Sequence, residues 1–202
     1  MRTATLLALA AILPLAACDT YYDDDDDTFV RVIDFELDTD GFDESGDGLT
    51  ASFDTDDIQG SADRDDVEDA LRLAGDGALV LLYADNELIL DVETTGQTYT
   101  ALPVTKGFEA ETEDGLPYVD YTVTFTYAFD NQDLYFDVIS SAALDFEILF
   151  DEVLDISNEI EFRLVTLESD VVFSKQSSVA KTGGSIDFRN YEQVKAVFGL
   201  PD

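Results

Sequence analysis

The chain has no histidine and no tryptophan, and it has one cysteine, one methionine and four prolines in 202 residues. Each absence removes a class of chemistry. Without histidine there is no Ser-His-Asp or Cys-His triad, no imidazole base and no histidine metal ligand. With Cys18 as the sole cysteine there is no disulfide within the chain and no thiolate cluster for zinc. Basic residues are scarce too: ten Lys plus Arg stand against 46 Asp plus Glu, for a net charge of −36. Phosphate binding needs a basic patch to displace counterions, so nucleic acid is excluded as a partner. No apolar run reaches the about 20 residues that a membrane-crossing helix requires.

What is present argues for a folded domain. Fourteen Phe and nine Tyr, with many Val, Ile and Thr, supply more apolar and β-branched surface than a disordered acidic chain carries. The acids are spread along the sequence rather than gathered in a tail, so the whole surface is expected to be anionic. Such a surface repels itself at low salt and is relieved by screening, which fits adaptation to a saline habitat.

The first residues have the layout of a leader. Met1 and Arg2 make a short positive start, residues 6–13 are apolar, and Leu15-Ala16-Ala17 is a small-residue cleavage site. Residues 1–17 therefore read as a signal peptide, and Leu15-Ala16-Ala17-Cys18 resembles the lipobox of bacterial lipoprotein precursors. That resemblance implies that Cys18 is lipidated through its sulfur and becomes the mature N-terminus. Several acyl chains then hold the protein to a bilayer, since each buried methylene contributes about 0.8 kcal/mol and a single chain binds only marginally.

Residues 18–27 read as the lipidated cysteine and an acidic tether. Asp23, Asp24, Asp25, Asp26 and Asp27 repel one another and lose too much on desolvation to pack together. An extended, solvated spacer is expected, able to hold the domain up to roughly 35 Å from the lipid. The acids behind the cysteine resemble the export signal of Bacteroidetes-type lipoproteins, which implies the outer face of the outer membrane. Asp19, directly after Cys18, is similar to the inner-membrane retention signal of enteric lipoproteins. The expected location is the outer membrane, lipid-anchored at the cell surface, with a periplasm-facing orientation as the alternative.

Residues 28–202 read as one domain. In 122–129 the alternation TVTFTYAF places Val123, Phe125, Tyr127 and Phe129 on one face and Thr122, Thr124, Thr126 and Ala128 on the other. The polar tetrapeptide 130–133 is a turn, and 134–139 returns as the second arm of a hairpin. Further strands are expected at 29–37, 49–53, 78–84, 87–92, 98–102, 144–150 and 159–167, with a last one at 185–188. Residues 78–83 are apolar on both faces, which predicts a strand covered on both sides. Short, evenly punctuated strands predict an all-β fold, an antiparallel β-sandwich of Ig-like or jelly-roll-like kind, with two short helices. One helix is expected after Asp65, with Glu68 completing a capping box, Val67, Ala70, Leu71 and Ala74 as its stripe, and Gly75 ending it. The other follows Asn190 and stops at Gly199. The polar segment 175–185 is expected to be a loop.

Together these features resemble a group of small, functionally unassigned Bacteroidetes-type outer-membrane lipoproteins. The matching residues are Gly77 to Tyr83, Tyr99 with Leu102-Pro103, and Phe162-Arg163-Leu164-Val165, with Tyr99 in place of the group's usual tryptophan. The resemblance implies a lipid-anchored β-sandwich and implies no activity.

With histidine and free thiols gone, carboxylates and oxygen-ligand metals remain, which suit Ca²⁺ better than zinc. Residues 43–54, DESGDGLTASFD, follow an EF-hand spacing with Asp43, Ser45 and Asp47 at positions 1, 3 and 5, Gly48 at 6 and Asp54 at 12. A Gly/Asp-rich connection between two strands explains the same letters. A glycosidase would need two facing carboxylates about 5 to 10 Å apart, and no pair stands out among 46 acids. The expected function is that of a non-enzymatic, lipid-anchored cell-envelope protein, a surface accessory or binding module whose protein or glycan partner is open. The alternatives are a calcium-dependent adhesion or glycan-binding domain and a carboxylate-based hydrolase.

Overall fold

The computed structural model describes residues 30–75, 77–85, 99–111, 117–150, 154 and 159–201. The leader, Cys18, Asp19, the acids Asp23 to Asp27 and the strand expected at 87–92 lie outside the described residues. Nine strands are described: β1 (Val30–Asp38), β2 (Asp43–Glu44), β3 (Thr50–Phe53), β4 (Leu79–Asp85), β5 (Tyr99–Ala101), β6 (Val104–Glu111), β7 (Pro117–Phe129), β8 (Leu134–Ser140) and β9 (Glu159–Leu167). They form two antiparallel sheets, one of order β1-β9-β4-β5 and one of order β2-β3-β8-β7-β6. The antiparallel sandwich expected from the alternation is therefore present. Four α-helical segments are described with it, α1 (Ser61–Gly75), α2 (Phe146–Ile148), α3 (Ser169–Lys181) and α4 (Tyr191–Phe198), besides two short 3-10 turns.

The period-2 pattern explains how the two sheets meet. Ile33, Phe35 and Leu37 of β1, Val80, Leu82 and Ala84 of β4, and Ile160, Phe162 and Leu164 of β9 point inward from the four-stranded sheet. Ala51 and Phe53 of β3, Val123 and Phe125 of β7, and Leu134, Phe136 and Val138 of β8 meet them from the other. Aromatic rings bridge the layers. Phe35 stacks on Phe162 at 5.5 Å, Phe162 meets Phe136 edge-on at 4.8 Å, and Phe136 lies 5.8 Å from Phe53. Each such pair contributes about 0.5–1.5 kcal/mol beyond the area it buries. The α1 stripe of Val67, Ala70 and Leu71 packs into the same core.

A second apolar cluster lies on the opposite face of the four-stranded sheet, where Tyr83, Val165 and Leu167 pack under Val171 and Val172 of α3 and Tyr191, Val194 and Phe198 of α4. This accounts for the doubly apolar β4, which is covered by the second sheet on one side and by helices on the other. At α4 the expected caps are in place: Asn190 accepts a hydrogen bond from the Gln193 backbone N–H at 3.0 Å, and Gly199 ends the helix in the left-handed region at φ 72°.

Four expectations are corrected. The segment 144–150 is not a strand: Phe146, Leu149 and Phe150 are buried at helical spacing, and Asp145 accepts from the Ile148 N–H at 3.2 Å. Helix α3 occupies most of the segment 175–185, where a loop was expected. Its anchor is Val171 and Val172 at its start, upstream of that polar stretch. Residues 185–188 form no strand; Tyr83 Oη donates to the Phe188 carbonyl at 2.9 Å and the Asp187 N–H donates to Gln193 Oε1 at 2.7 Å. Helix α1 starts at Ser61, so Asp65 lies inside it instead of capping it, and α3 adds to the two helices foreseen. The strand β6 had no counterpart in the sequence reading.

Candidate functional site

The calcium candidate folds as a β-hairpin. Asp43 pairs with Ser52 across β2 and β3, and the turn between them is closed by its own side chains. Ser45 Oγ donates to Asp47 Oδ1 at 2.6 Å and accepts from the Thr50 N–H at 2.9 Å; Asp47 also accepts from the Leu49 N–H at 3.2 Å. These hydrogen bonds, Ser45 first, hold the Asp47 carboxyl below its ordinary range. Gly48 sits at φ 66°, a left-handed position that costs glycine little. Asp54 belongs to a different device. It caps the 3-10 turn Thr55–Asp57, accepting from the Asp56 N–H at 2.8 Å, while Asp57 accepts from the Asp54 N–H at 2.8 Å. The four oxygen-bearing residues thus fall into a hairpin tip and a turn cap. Asp43 and Asp54 nevertheless act on one common neighbour: burial, then the negative charges of Asp54, Asp43 and Asp56, push the Asp57 carboxyl up. Among the described residues no group of three acidic side chains is placed to hold a metal ion.

A cavity of about 480 Å³ lies between the end of α1 and the β7–β8 turn, lined by Arg72, Asp130, Asn131 and Gln132. Its one carboxylate, Asp130, accepts the Asp133 and Gln132 N–H groups at 2.9 Å each, and those bonds hold it below its ordinary range. A glycosidase acid needs the opposite shift and a second facing carboxylate. Arg72 is committed to Asp69 at 2.6 Å and Glu68 at 3.3 Å.

The most elaborate polar cluster was not singled out from sequence. Arg163 of β9 faces the helical layer with only 7 % of its side chain exposed. Its guanidinium donates to both oxygens of Asp34, at 2.6 and 2.7 Å, and to Tyr191 Oη at 2.5 Å, and it lies 4.5 Å from the centre of the Tyr99 ring. Burial works against its charge, but the bonds to Asp34 and Tyr191 outweigh that and raise its pKa. Tyr191 meets Tyr83 and Tyr99 edge-on at 5.1 and 5.0 Å. This constellation fastens α4 to the sheet. Each of its three guanidinium nitrogens donates to a protein partner.

The remaining feature is the outer face of the five-stranded sheet, which no described helix covers. Strand register assembles it in rows: Thr105, Thr124, Ile139 and Thr50 form one, and Thr126, Asp137, Ser52 and Asp43 form the next. Rows of this kind repeat at about 4.8 Å across strands and about 7 Å along them. The hydroxyls are held in place, with Thr105 Oγ1 and Thr124 Oγ1 2.9 Å apart and Ser52 Oγ donating to Asp137 at 2.7 Å. Tyr135 and Ile139 stand on this face 38 % and 41 % exposed. The threonine alternation in β7 was the available signal; the hairpin with β8 was legible too, but sequence alone could not align the pair with β3 and β6.

Comparison of the chain with known protein families, with curated proteins and with solved structures finds no match.

Proposed function

We propose that the chain is a non-enzymatic, lipid-anchored protein of the bacterial cell envelope, attached through Cys18, that works as a binding module. The observation that carries this reading is Leu15-Ala16-Ala17-Cys18 directly behind an apolar leader, with no second cysteine to give Cys18 a disulfide role. The asymmetry of the domain supports the binding part. One sheet has its outer face buried under α3 and α4, whereas the other presents ordered hydroxyls with Tyr135 and Ile139 among them. Such a face suits a flat partner, because exposed rings contribute stacking area and fixed hydroxyls contribute hydrogen bonds. The acids behind Cys18 favour the outer face of the outer membrane.

Fractionation of the native cells tests the reading. The chain is expected in the detergent-extracted outer-membrane fraction and to be cut by protease added to intact cells, and Cys18→Ala is expected to leave that fraction. Recovery of the native chain with the water-soluble proteins would overturn it.

A further inference from the structure

The charge of this chain is unevenly placed. From Ser169 to Pro201 the four basic residues Lys175, Lys181, Arg189 and Lys195 outnumber the three acids Asp170, Asp187 and Glu192, in a chain whose net charge is −36. Helix α3 is the clearest case: after Asp170 no carboxylate occurs until Asp187. Residues 173–178, 180 and 181 are all exposed. Arg31, Arg64, Arg72 and Arg163 each hold a carboxylate, but Lys175 and Lys181 make no salt bridge with any described residue. Two cations without a salt bridge to any described residue therefore stand on this helix, and Arg189 beyond it and Lys106 on β6 likewise have none.

The topology brings one particular anion to that helix. Val30, the first described residue, pairs with Leu167, and Leu167 is followed by Glu168 and the first turn of α3. The chain before Val30 thus leaves the domain beside the root of α3. Asp27 is three residues before Val30 and Asp23 is seven, so the acid run can reach between about 10 and about 24 Å from Val30. Along the helix, Lys175 and Lys181 lie about 9 and about 18 Å from Ser169. The two spans overlap.

We propose that the run Asp23 to Asp27 docks along α3 on Lys175 and Lys181, instead of standing off as a solvated spacer. The contact shortens the leash between the domain and residue 18 and sets which way the domain faces. It is electrostatic, so raised salt releases it.

Paramagnetic broadening in solution tests this without any dependence on lipid. The full chain carrying Cys18→Ser and Tyr22→Cys takes a nitroxide label next to the acid run. At low salt the amide signals of residues 173–181 are expected to be lost through broadening, while those of β8 are retained. In Lys175→Glu with Lys181→Glu, and in about 1 M NaCl, where the Debye length is about 3 Å, the α3 signals are expected to return. Lys175→Arg with Lys181→Arg is expected to keep the broadening, and unchanged β8 shifts in each variant check folding. Unbroadened α3 amides, or broadening indifferent to salt and charge reversal, would overturn the proposal. So would broadening that passes from a labelled chain to an unlabelled copy mixed with it, since the occupant would then be a second molecule.

Discussion

Arg163 is the residue on which the outer layer turns, because one guanidinium holds Asp34 on β1 and Tyr191 on α4 at once. Arg163→Leu leaves the Tyr191 hydroxyl without its donor, while Asp34, with 56 % of its side chain exposed, is rehydrated. The expected loss is about 2–4 kcal/mol in urea unfolding, toward the lower end because the anion reaches water. Arg163→Lys is expected to recover little of it, since an ammonium cannot serve both oxygens and a hydroxyl from one plane. A loss within experimental error of zero would contradict the assignment. Asp57 makes the opposite kind of prediction. Its carboxyl is pushed above its ordinary 3.8 by burial and by neighbouring acids, so the folded chain binds that proton more tightly than the unfolded chain does. Its contribution to stability therefore falls as pH rises from 3.8 through the raised value. Asp57→Asn, which keeps an acceptor for the Asp54 N–H, should gain on the parent between about pH 3 and pH 7. A difference that stays constant across that range would show that the carboxylate carries no such strain. Because Asp47 turns one carboxylate oxygen into the hairpin tip and Asp54 one into a separate turn cap, Ca²⁺ is expected to shift the thermal midpoint no more than Mg²⁺ does at equal concentration. A shift specific to Ca²⁺ would support the calcium reading.

Among the elements, α4 is the one whose ends were legible from the letters. Asn190→Ala and Gly199→Ala are each expected to cost about 1 kcal/mol, the first by removing the cap and the second by forcing a side chain into the left-handed region. No atom lies within 4 Å of a Cβ built at Gly199, so that cost is conformational and should add to the cap's. Calorimetry of the double substitution checks both, and a cost well below the sum of the singles would mean that the ends are coupled. The strand with strict alternation, β7, was legible for the same reason that it packs, since Val123 and Phe125 are buried on one face while Thr122, Thr124 and Thr126 line the other. The elements that were misread depart from that rule. In α3 the apolar anchor is only Val171 and Val172, so the exposed KQSSVAK stretch shows no stripe to read. In α2 the letters LDFEILF suggested a strand, although Phe146, Leu149 and Phe150 already lie at the i, i+3, i+4 spacing of one helix face. Strand β6 mixes Lys106, Gly107 and Glu109 into its pattern and carries a register shift between Phe108 and Glu109, which disguises its period. The hydroxyl face was half visible as the threonines of β7, because only strand pairing brings Thr50, Thr105 and Ser52 beside them.

At the scale of the whole molecule, charge is the dominant fact. A net charge of −36 on 202 residues makes the folded surface repel itself. Screening should therefore raise stability: the thermal midpoint is expected to climb between about 0.05 and about 1 M NaCl, as the Debye length falls below about 10 Å. A midpoint that fell over that range would remove the saline-adaptation reading. The molecule is layered, with helices on one face and hydroxyls on the other, and Val30, the first described residue, lies beside the start of α3. That order gains a purpose if residue 18 is fixed to a bilayer, because the exit beside α3 then sets which face is turned away. Intact-mass spectrometry of the chain purified from its native membranes tests this most directly. The predicted result is an N-terminus at Cys18 bearing a diacylglycerol and an acyl group; an unmodified thiol at position 18, or a chain that keeps residues 1–17, would contradict the account.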